Sequence, residues 1–170
     1  ARAAGAEILL VLNASPYHIG KQGERAQVLR ERVVAAGLPA VYVNLVGGQD
    51  ELVFDGASFA VEPQAGVVFE ARRFEEDVRT LRFEGGRFLT AAGEPPEPVD
   101  RQGLSTMAFY RAQIRLGLRD YARRCGFRRV VVGSSGGIDS ALTLALAVDA
   151  LGAENVEAVT MPSRHSSAGS

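Results

Sequence analysis

Residues 130–140 read Val-Val-Val-Gly-Ser-Ser-Gly-Gly-Ile-Asp-Ser, and this stretch decides the fold of the second half of the chain. The valines predict a strand over 128–132, and the apolar, alanine-rich residues 141–151 predict a helix. A further strand is predicted over 156–160. The order strand, glycine-rich turn, helix, strand predicts a β-loop-α-β unit with a parallel, right-handed connection.

The turn between this strand and helix has the residue types of an anion-binding loop. Glycines allow the backbone to approach a ligand without a Cβ in the way, and the free N–H groups at the start of the helix favour an anion. Asp139 would repel a phosphate unless a cation lay between them, so the pattern predicts Mg²⁺ held by Asp139. The candidate nucleotide-binding residues are Gly133, Ser134, Ser135, Gly136, Gly137, Ile138, Asp139 and Ser140.

Two commoner phosphate loops do not fit the turn. No Lys-Ser or Lys-Thr pair ends it, which excludes a Walker A loop. Its glycines are not spaced as Gly-x-Gly-x-x-Gly, which excludes the dinucleotide fingerprint. The remaining alternative is a glycine-rich helix start capped by serines, with no ligand.

The turn resembles the pyrophosphate loop of the N-type ATP pyrophosphatases, Ser-Gly-Gly-x-Asp-Ser, which residues 135–140 match position by position. The resemblance implies that ATP is cleaved between its α- and β-phosphates. A carbonyl oxygen is then adenylated, and ammonia or sulfur displaces AMP. The loop alone does not choose among the synthetases and thiolases of that superfamily.

The first half of the chain predicts layered α/β packing. Residues 7–13 form a nearly continuous apolar run, typical of a strand buried on both faces. A helix is predicted over 23–36 and a second buried strand over 40–46. Shorter strands follow over 57–62 and 67–72, and alternation over 78–83 predicts a strand with one wet face.

Glycines and prolines then predict a linker over 85–103. The chain therefore divides into a first domain over 1–84 and a second over 104–170, which opens with a helix over 104–125. The chain starts at Ala1 and stops in a polar stretch, so we expect an internal fragment of a longer protein.

Residues 13–17, Gly20-Lys21, Arg25 and 46–58 resemble the late part of a nitrilase-type amidase domain. Followed by a pyrophosphate loop, and by Met161-Pro162-Ser163-Arg164 after a strand, they are similar to the glutamine-dependent NAD⁺ synthetase family. The resemblance implies an α/β fold in two parts. The first is part of a four-layer α/β/β/α nitrilase-like sandwich. The second is the start of a Rossmann-like (adenine nucleotide alpha hydrolase-like) parallel-sheet domain.

The same resemblance implies the chemistry. The family amidates deamido-NAD (nicotinic acid adenine dinucleotide) with ATP, Mg²⁺ and glutamine, and the full-length enzyme is a homo-oligomer. Ser15 and Lys21 match its glutamine-contacting positions, where Lys21 is suited to the substrate α-carboxylate and Ser15 to its polar end. The family's Glu-Lys-Cys triad lies upstream, so we expect no catalytic residue in this fragment, which should be inactive alone. Cys125 is expected to be an ordinary helix residue.

An acidic cluster, Gln49-Asp50-Glu51 with Asp55, is compatible with acid–base chemistry, but a solvated loop and hairpin turn is the favoured interpretation. The composition is that of a globular protein, with 46% hydrophobic and 23% charged residues. The net charge of −1 gives no general attraction to nucleic acid or to an anionic membrane. One cysteine and two histidines are too few for a zinc site. Cytoplasm is the default compartment.

Two alternatives stay open. The first is another glutamine-dependent ATP pyrophosphatase, of the GMP or asparagine synthetase type, although those use different glutaminase folds. The second is a truncated product that binds nucleotide but is not an enzyme.

Overall fold

A computed structural model gives the fold and describes residues 1–97 and 105–161. The chain has a mixed α/β structure that divides into two compact units. The first contains the described residues of Ala1–Gly47 and Val53–Leu104, and the second those of Gly48–Leu52 and Ser105–Ser170.

Residues 1–97 contain one α-helix and eight strands. In chain order these are β1 (Leu9–Asn13), α1 (Lys21–Ala36), β2 (Ala40–Asn44), β3 (Val46–Gln49), β4 (Leu52–Asp55), β5 (Phe59–Glu62), β6 (Gly66–Glu70), β7 (Arg82–Glu84) and β8 (Arg87–Leu89). A four-stranded sheet has the order β1-β2-β5-β6. Strands β1 and β2 are parallel, and the other two pairings are antiparallel.

Helix α1 lies against this sheet and forms the core of the first unit. Leu29 and Val33 are four residues apart, so they share one face of the helix. They are buried together with Tyr42, Phe59 and Val61 of the sheet. The rings of Tyr42 and Phe59 stack with their centroids 5.0 Å apart. The helix predicted over 23–36 and the strands predicted over 7–13 and 40–46 are confirmed in type.

The prediction that β1 is buried on both faces is wrong for the residues described. Leu10 is 66% exposed and Leu12 is 79% exposed. Their neighbours Leu9 and Val11 pack against the core under α1. In this part of the chain only the α1 side of the strand is covered, and the other side presents an apolar surface.

The structure also differs from the predicted linker at its start. Gly85 and Gly86 have φ angles of 58° and 81°, which two-residue hairpin turns require and side chains disfavour. They join β7 to β8, and Phe88 of β8 is 3% exposed, with its N–H donating to Glu62 Oε1 at 2.8 Å. Residues 85–89 therefore belong to the first unit, and residues 98–103 of the predicted linker lie outside the described part. The strand predicted over 78–83 is present only from Arg82.

The second unit contains α2 (Thr106–Cys125), β9 (Val130–Ser134), α3 (Ile138–Leu151) and β10 (Val156–Thr160). Strands β9 and β10 are parallel, with Val130 opposite Val156, which confirms the predicted parallel pairing. Helix α3 begins three residues earlier than the predicted start at 141, because the Ile-Asp-Ser part of the turn is already helical. Residues 162–164, which contributed to the family resemblance, lie outside the described residues.

Helix α2 carries a buried carboxylate that its sequence did not signal. Asp120 is 3% exposed and accepts the Gly48 N–H at Oδ2, 2.9 Å away. Arg119 and Arg123 lie within ion-pair distance of its other oxygen. None of the helices in residues 1–97 and 105–161 is long and apolar enough to cross a lipid bilayer.

Candidate functional site

The predicted nucleotide loop joins the end of β9 to the start of α3. Gly136 has a φ angle of +80°, a conformation that side chains disfavour, and it turns the chain back toward the helix. Gly137 is the N-cap of α3, with extended dihedral angles of −86° and 161°. Both glycines are exposed, so the backbone of the turn is accessible to a ligand.

Two serine hydroxyls fix the shape of this loop. Ser140 Oγ accepts the Ser135 N–H at 3.2 Å and donates to the Gly137 carbonyl at 2.9 Å. Ser135 Oγ lies 3.2 Å from Ser140 Oγ and accepts the Gly137 N–H at 3.4 Å. The two side chains therefore close the turn on itself in this structure.

The first turn of α3 leaves backbone donors free. No side chain caps the helix, so the N–H groups of Ile138, Asp139 and Ser140 have no acceptor among the described residues. The partial positive charge of a helix start adds to these donors. The Ile138 side chain is 80% exposed, so only its backbone is suited to contact an anion. This arrangement is able to bind a phosphate group.

One side chain of the loop, the carboxylate of Asp139, is suited to bind a magnesium ion. Asp139 is exposed, and within the described residues its carboxylate has no hydrogen-bond or ion-pair partner. No group of three or more His, Cys, Asp or Glu side chains is gathered for a metal anywhere in the described part. Mg²⁺ commonly takes one or two carboxylates and completes its shell with phosphate oxygens and water. Asp139 is therefore a suitable single protein ligand, but the loop is not a metal site by itself.

Ser15 lies in a buried polar cluster of the first unit. Its N–H donates to Asn44 Oδ1 at 2.9 Å. The Arg25 guanidinium donates to Ser15 Oγ at 3.2 Å and to the Ser15 carbonyl at 2.7 Å. Arg25 also donates to the Pro16 carbonyl at 3.2 Å. Ser15 is thus held through its backbone and through its side chain.

A buried ion pair anchors this cluster. Arg25 Nη1 lies 2.7 Å from Asp55 Oδ1, and the two side chains are 4% and 0% exposed. Asp55 Oδ2 has no hydrogen-bond partner among the described residues. Burial raises the pKa of the Asp55 carboxyl, and the hydrogen bond and charge of Arg25 offset only part of that effect. The expectation of a solvated carboxylate holds for exposed Asp50 and Glu51 but is wrong for Asp55.

Lys21 lies at the start of α1, in a different environment from Ser15. Its Nζ is 3.3 Å from Glu24 Oε2, and the two side chains are 29% and 56% exposed. His18 Nε2 lies 3.7 Å from the same Glu24 oxygen. Exposed ion pairs of this kind contribute about 0–1 kcal/mol. The ammonium of Lys21 is therefore free to exchange Glu24 for the carboxylate of a ligand.

The structure brings the predicted residues of the nucleotide loop together, whereas Ser15 and Lys21 have different partners. Residues 133–140 form the loop of the second unit, whereas Ser15 and Lys21 belong to the first. The sequence predicts no role for Asn44, and Arg25 contributes only to the family resemblance. The signal for Arg25 was its spacing, because Arg25, Leu29 and Val33 are all buried and share one face of α1. A charged residue on an apolar helix face needs a buried partner.

Known proteins resemble this chain in sequence and in fold. A sequence model of the NAD synthase family matches residues 110–170. Over 99% of its length the chain is 49% identical to a glutamine-dependent NAD(+) synthetase of Rhodobacter capsulatus, and over 95% it is 43% identical to that of Acinetobacter baylyi.

Over nearly all of its length the chain is similar to glutamine-dependent NAD(+) synthetases. It spans about 30% of the length of these curated relatives, which are longer proteins. The solved structure of the glutamine-dependent NAD⁺ synthetase of Acinetobacter baumannii in complex with ADP superposes with a TM-score of 0.84 at 42% identity. That match covers 98% of this chain and 31% of the synthetase. The similarity to NAD⁺ synthetases therefore includes both units.

Proposed function

We propose that the protein containing this chain is a ligase that converts deamido-NAD to NAD⁺, with ATP as energy source and glutamine as nitrogen donor. The observation that carries the proposal is the glycine turn between β9 and α3, with its three free N–H groups, in a chain so similar to NAD⁺ synthetases. The reaction requires an adenylated intermediate, because a carboxylate does not react with ammonia until its oxygen becomes a leaving group.

In this proposal residues 133–140 bind the phosphates of ATP. The carboxylate of deamido-NAD attacks the α-phosphorus, pyrophosphate leaves, and ammonia then displaces AMP. Negative charge develops on the departing pyrophosphate, and the N–H groups of Ile138, Asp139 and Ser140 are suited to stabilise it. A bound Mg²⁺ supplies further neutralisation of the phosphate charge, and Asp139 would hold it.

Ser15 and Lys21 are proposed to bind glutamine. Lys21 exchanges its exposed partner Glu24 for the α-carboxylate of the substrate. Ser15 contacts the polar end, from a position that Arg25 and Asn44 define. We assign no catalytic residue of glutamine hydrolysis to this chain.

The finer architecture belongs to the same proposal. We infer that residues 1–84, extended through the β7–β8 hairpin, are the C-terminal part of a nitrilase-like glutaminase domain with four-layer α/β/β/α packing. Residues 104–170 are the N-terminal part of a Rossmann-like synthetase domain, and the linker lies before residue 104. The full-length enzyme is proposed to be a cytoplasmic homo-oligomer whose substrates are ATP, glutamine and deamido-NAD.

An assay of acceptor choice separates the proposal from its rivals. The full-length protein is incubated with ATP, Mg²⁺ and glutamine, together with deamido-NAD, xanthosine monophosphate or aspartate. AMP formation that occurs only when deamido-NAD is the acceptor supports the proposal. AMP formation with either other acceptor would identify a GMP or asparagine synthetase, and none with any acceptor would favour a non-enzymatic protein.

A further inference from the structure

The guanidinium of Arg25 makes five hydrogen bonds, and three of them go to residues of one loop. Nη2 donates to the Ser15 and Pro16 carbonyls, and Nε donates to Ser15 Oγ. Nη1 donates to Asp55 Oδ1 and to Gln22 Oε1. Arg25 is 6% exposed, so water does not compete for these bonds.

We propose that Arg25 is a positioning residue that holds the loop of residues 14–20 in the shape that binds glutamine. It does so by fixing Ser15, and it does not itself touch the substrate. The inference rests on the proposed function, because it assumes that Ser15 binds glutamine.

The hydrogen bonds at Ser15 determine which of its groups is left to bind a ligand. The Ser15 hydroxyl has one proton to donate and two lone pairs that accept. Arg25 Nε is a donor at 3.2 Å and occupies a lone pair, which leaves the hydroxyl proton for another acceptor. Asn44 holds the Ser15 N–H on the other side. Ser15 is thus set to donate to an oxygen of the ligand, such as the carboxamide carbonyl of glutamine.

Only an arginine makes this set of contacts. Its planar fork carries five N–H donors at fixed angles, whereas lysine has three donors on one flexible point charge. A lysine at position 25 is able to keep the ion pair with Asp55, which lies at the end of β4. It cannot also reach the hydroxyl of Ser15 and two successive carbonyls. Arg25→Lys therefore separates the charge of the cluster from the positioning of the loop.

The test compares two nitrogen sources in the full-length enzyme. NAD⁺ formation by Arg25→Lys is measured as a function of glutamine and, separately, of ammonia. We expect the KM for glutamine to rise at least tenfold while the ammonia-dependent kcat stays within twofold of wild type. Arg32→Gln is the matched control, because Arg32 is exposed on the same helix, and it should leave both reactions unchanged.

A double-mutant cycle with Ser15→Ala tests whether Arg25 acts through Ser15. If it does, the double variant has a glutamine KM close to that of Ser15→Ala alone. If Arg25→Lys yields no folded protein, the double variant Arg25→Gln/Asp55→Asn replaces it, because it removes both charges of the buried pair together with the bonds of Arg25 to the loop. The same split between glutamine and ammonia is then expected.

Two results would overturn the inference while leaving the proposed function intact. The first is an equal loss of glutamine- and ammonia-dependent synthesis, which would make Arg25 a purely structural residue. The second is a double variant whose glutamine KM rises by the product of the two single effects. Absence of NAD⁺ formation by wild type with either nitrogen source would overturn the proposed function, and the inference with it.

Discussion

Arg25 and Asp55 form an ion pair with a 2.7 Å contact inside the first unit, yet one carboxylate oxygen of Asp55 has no hydrogen-bond partner among the described residues. The pair joins helix α1 to the end of strand β4. Burial of two charges is costly, and their attraction only partly offsets that cost. The pair is therefore expected to add little net stability, and its proposed role is to position the loop that carries Ser15.

The raised pKa of Asp55 predicts a particular dependence of stability on pH. A carboxyl whose pKa lies higher in the folded than in the unfolded state stabilises the fold at pH values below the unfolded pKa of 3.8. That contribution is lost as the pH rises through the folded pKa. The difference in melting temperature between wild type and Asp55→Asn should therefore become less favourable to wild type as the pH increases from 4 to 8. A difference that moves in wild type's favour would show that Arg25 lowers the pKa of Asp55 instead.

Lys21→Ala in the full-length enzyme should raise the glutamine KM and spare ammonia-dependent synthesis. Loss of one charge-assisted contact costs roughly 1.5–3 kcal/mol, or about 10- to 100-fold in KM. Glu24→Gln is the control, since it breaks the observed ion pair but keeps the lysine. Steady-state kinetics of both variants with glutamine and with ammonia separates loss of the ion pair from loss of the substrate contact. If Glu24→Gln had the same effect as Lys21→Ala, the ion pair and not the substrate contact would be what matters.

Asp139→Asn should abolish NAD⁺ synthesis with either nitrogen source, because it removes the carboxylate proposed to hold Mg²⁺ beside the phosphates. Glutamine hydrolysis should persist at its basal level. AMP and glutamate are measured side by side across a Mg²⁺ titration. Asp149→Asn on the same helix removes only an exposed ion pair with Arg111 and should leave synthesis intact. Normal AMP formation by Asp139→Asn at low Mg²⁺ would reduce Asp139 to a helix-start residue.

Helix α1 offers an adjacent pair of valines that tests its orientation. Val33 is fully buried in the core, whereas Val34 is 56% exposed. Val33→Ala in the 170-residue chain removes two buried methyl groups and should lower the free energy of unfolding by about 2 kcal/mol. Val34→Ala should change it by less than about 0.5 kcal/mol. Urea unfolding followed by circular dichroism measures both, and equal effects would contradict the burial of only one face.

The elements that the sequence predicted best were those with a strong local pattern. The valines of β9, the glycine turn and the apolar helix α3 are specified within about twenty residues, as are the buried positions of α1, which recur at helical spacing. Burial was harder to predict, because it depends on partners far along the chain. Leu10 and Leu12 are exposed since only one side of β1 is covered in the described residues. The pair Gly85-Gly86 predicts a linker because glycine pairs are frequent in linkers and in hairpins alike, and the structure has a hairpin there.

In the candidate site, too, features set by neighbouring residues are predictable from the sequence, and contacts between distant residues are not. The turn over 133–140 and the helix start that follows it are predicted from residue types alone, whereas the binding of an anion there stays a prediction. Arg25, Asn44 and Asp55 come from a helix, a strand and a hairpin, and only the fold brings them to Ser15. The sequence predicts a solvated Asp55 because an acidic residue near a turn is usually exposed. Its pairing with an arginine thirty residues away has no local signal.

The transfer of nitrogen itself is the most direct test of the account. The full-length protein is given ATP, Mg²⁺, deamido-NAD and glutamine labelled with ¹⁵N in its side-chain amide, and the products are followed by mass spectrometry. The account predicts that ¹⁵N appears in the carboxamide of NAD⁺, with one AMP formed for each NAD⁺. Release of labelled ammonia without NAD⁺, or consumption of ATP to ADP instead of AMP, would contradict it.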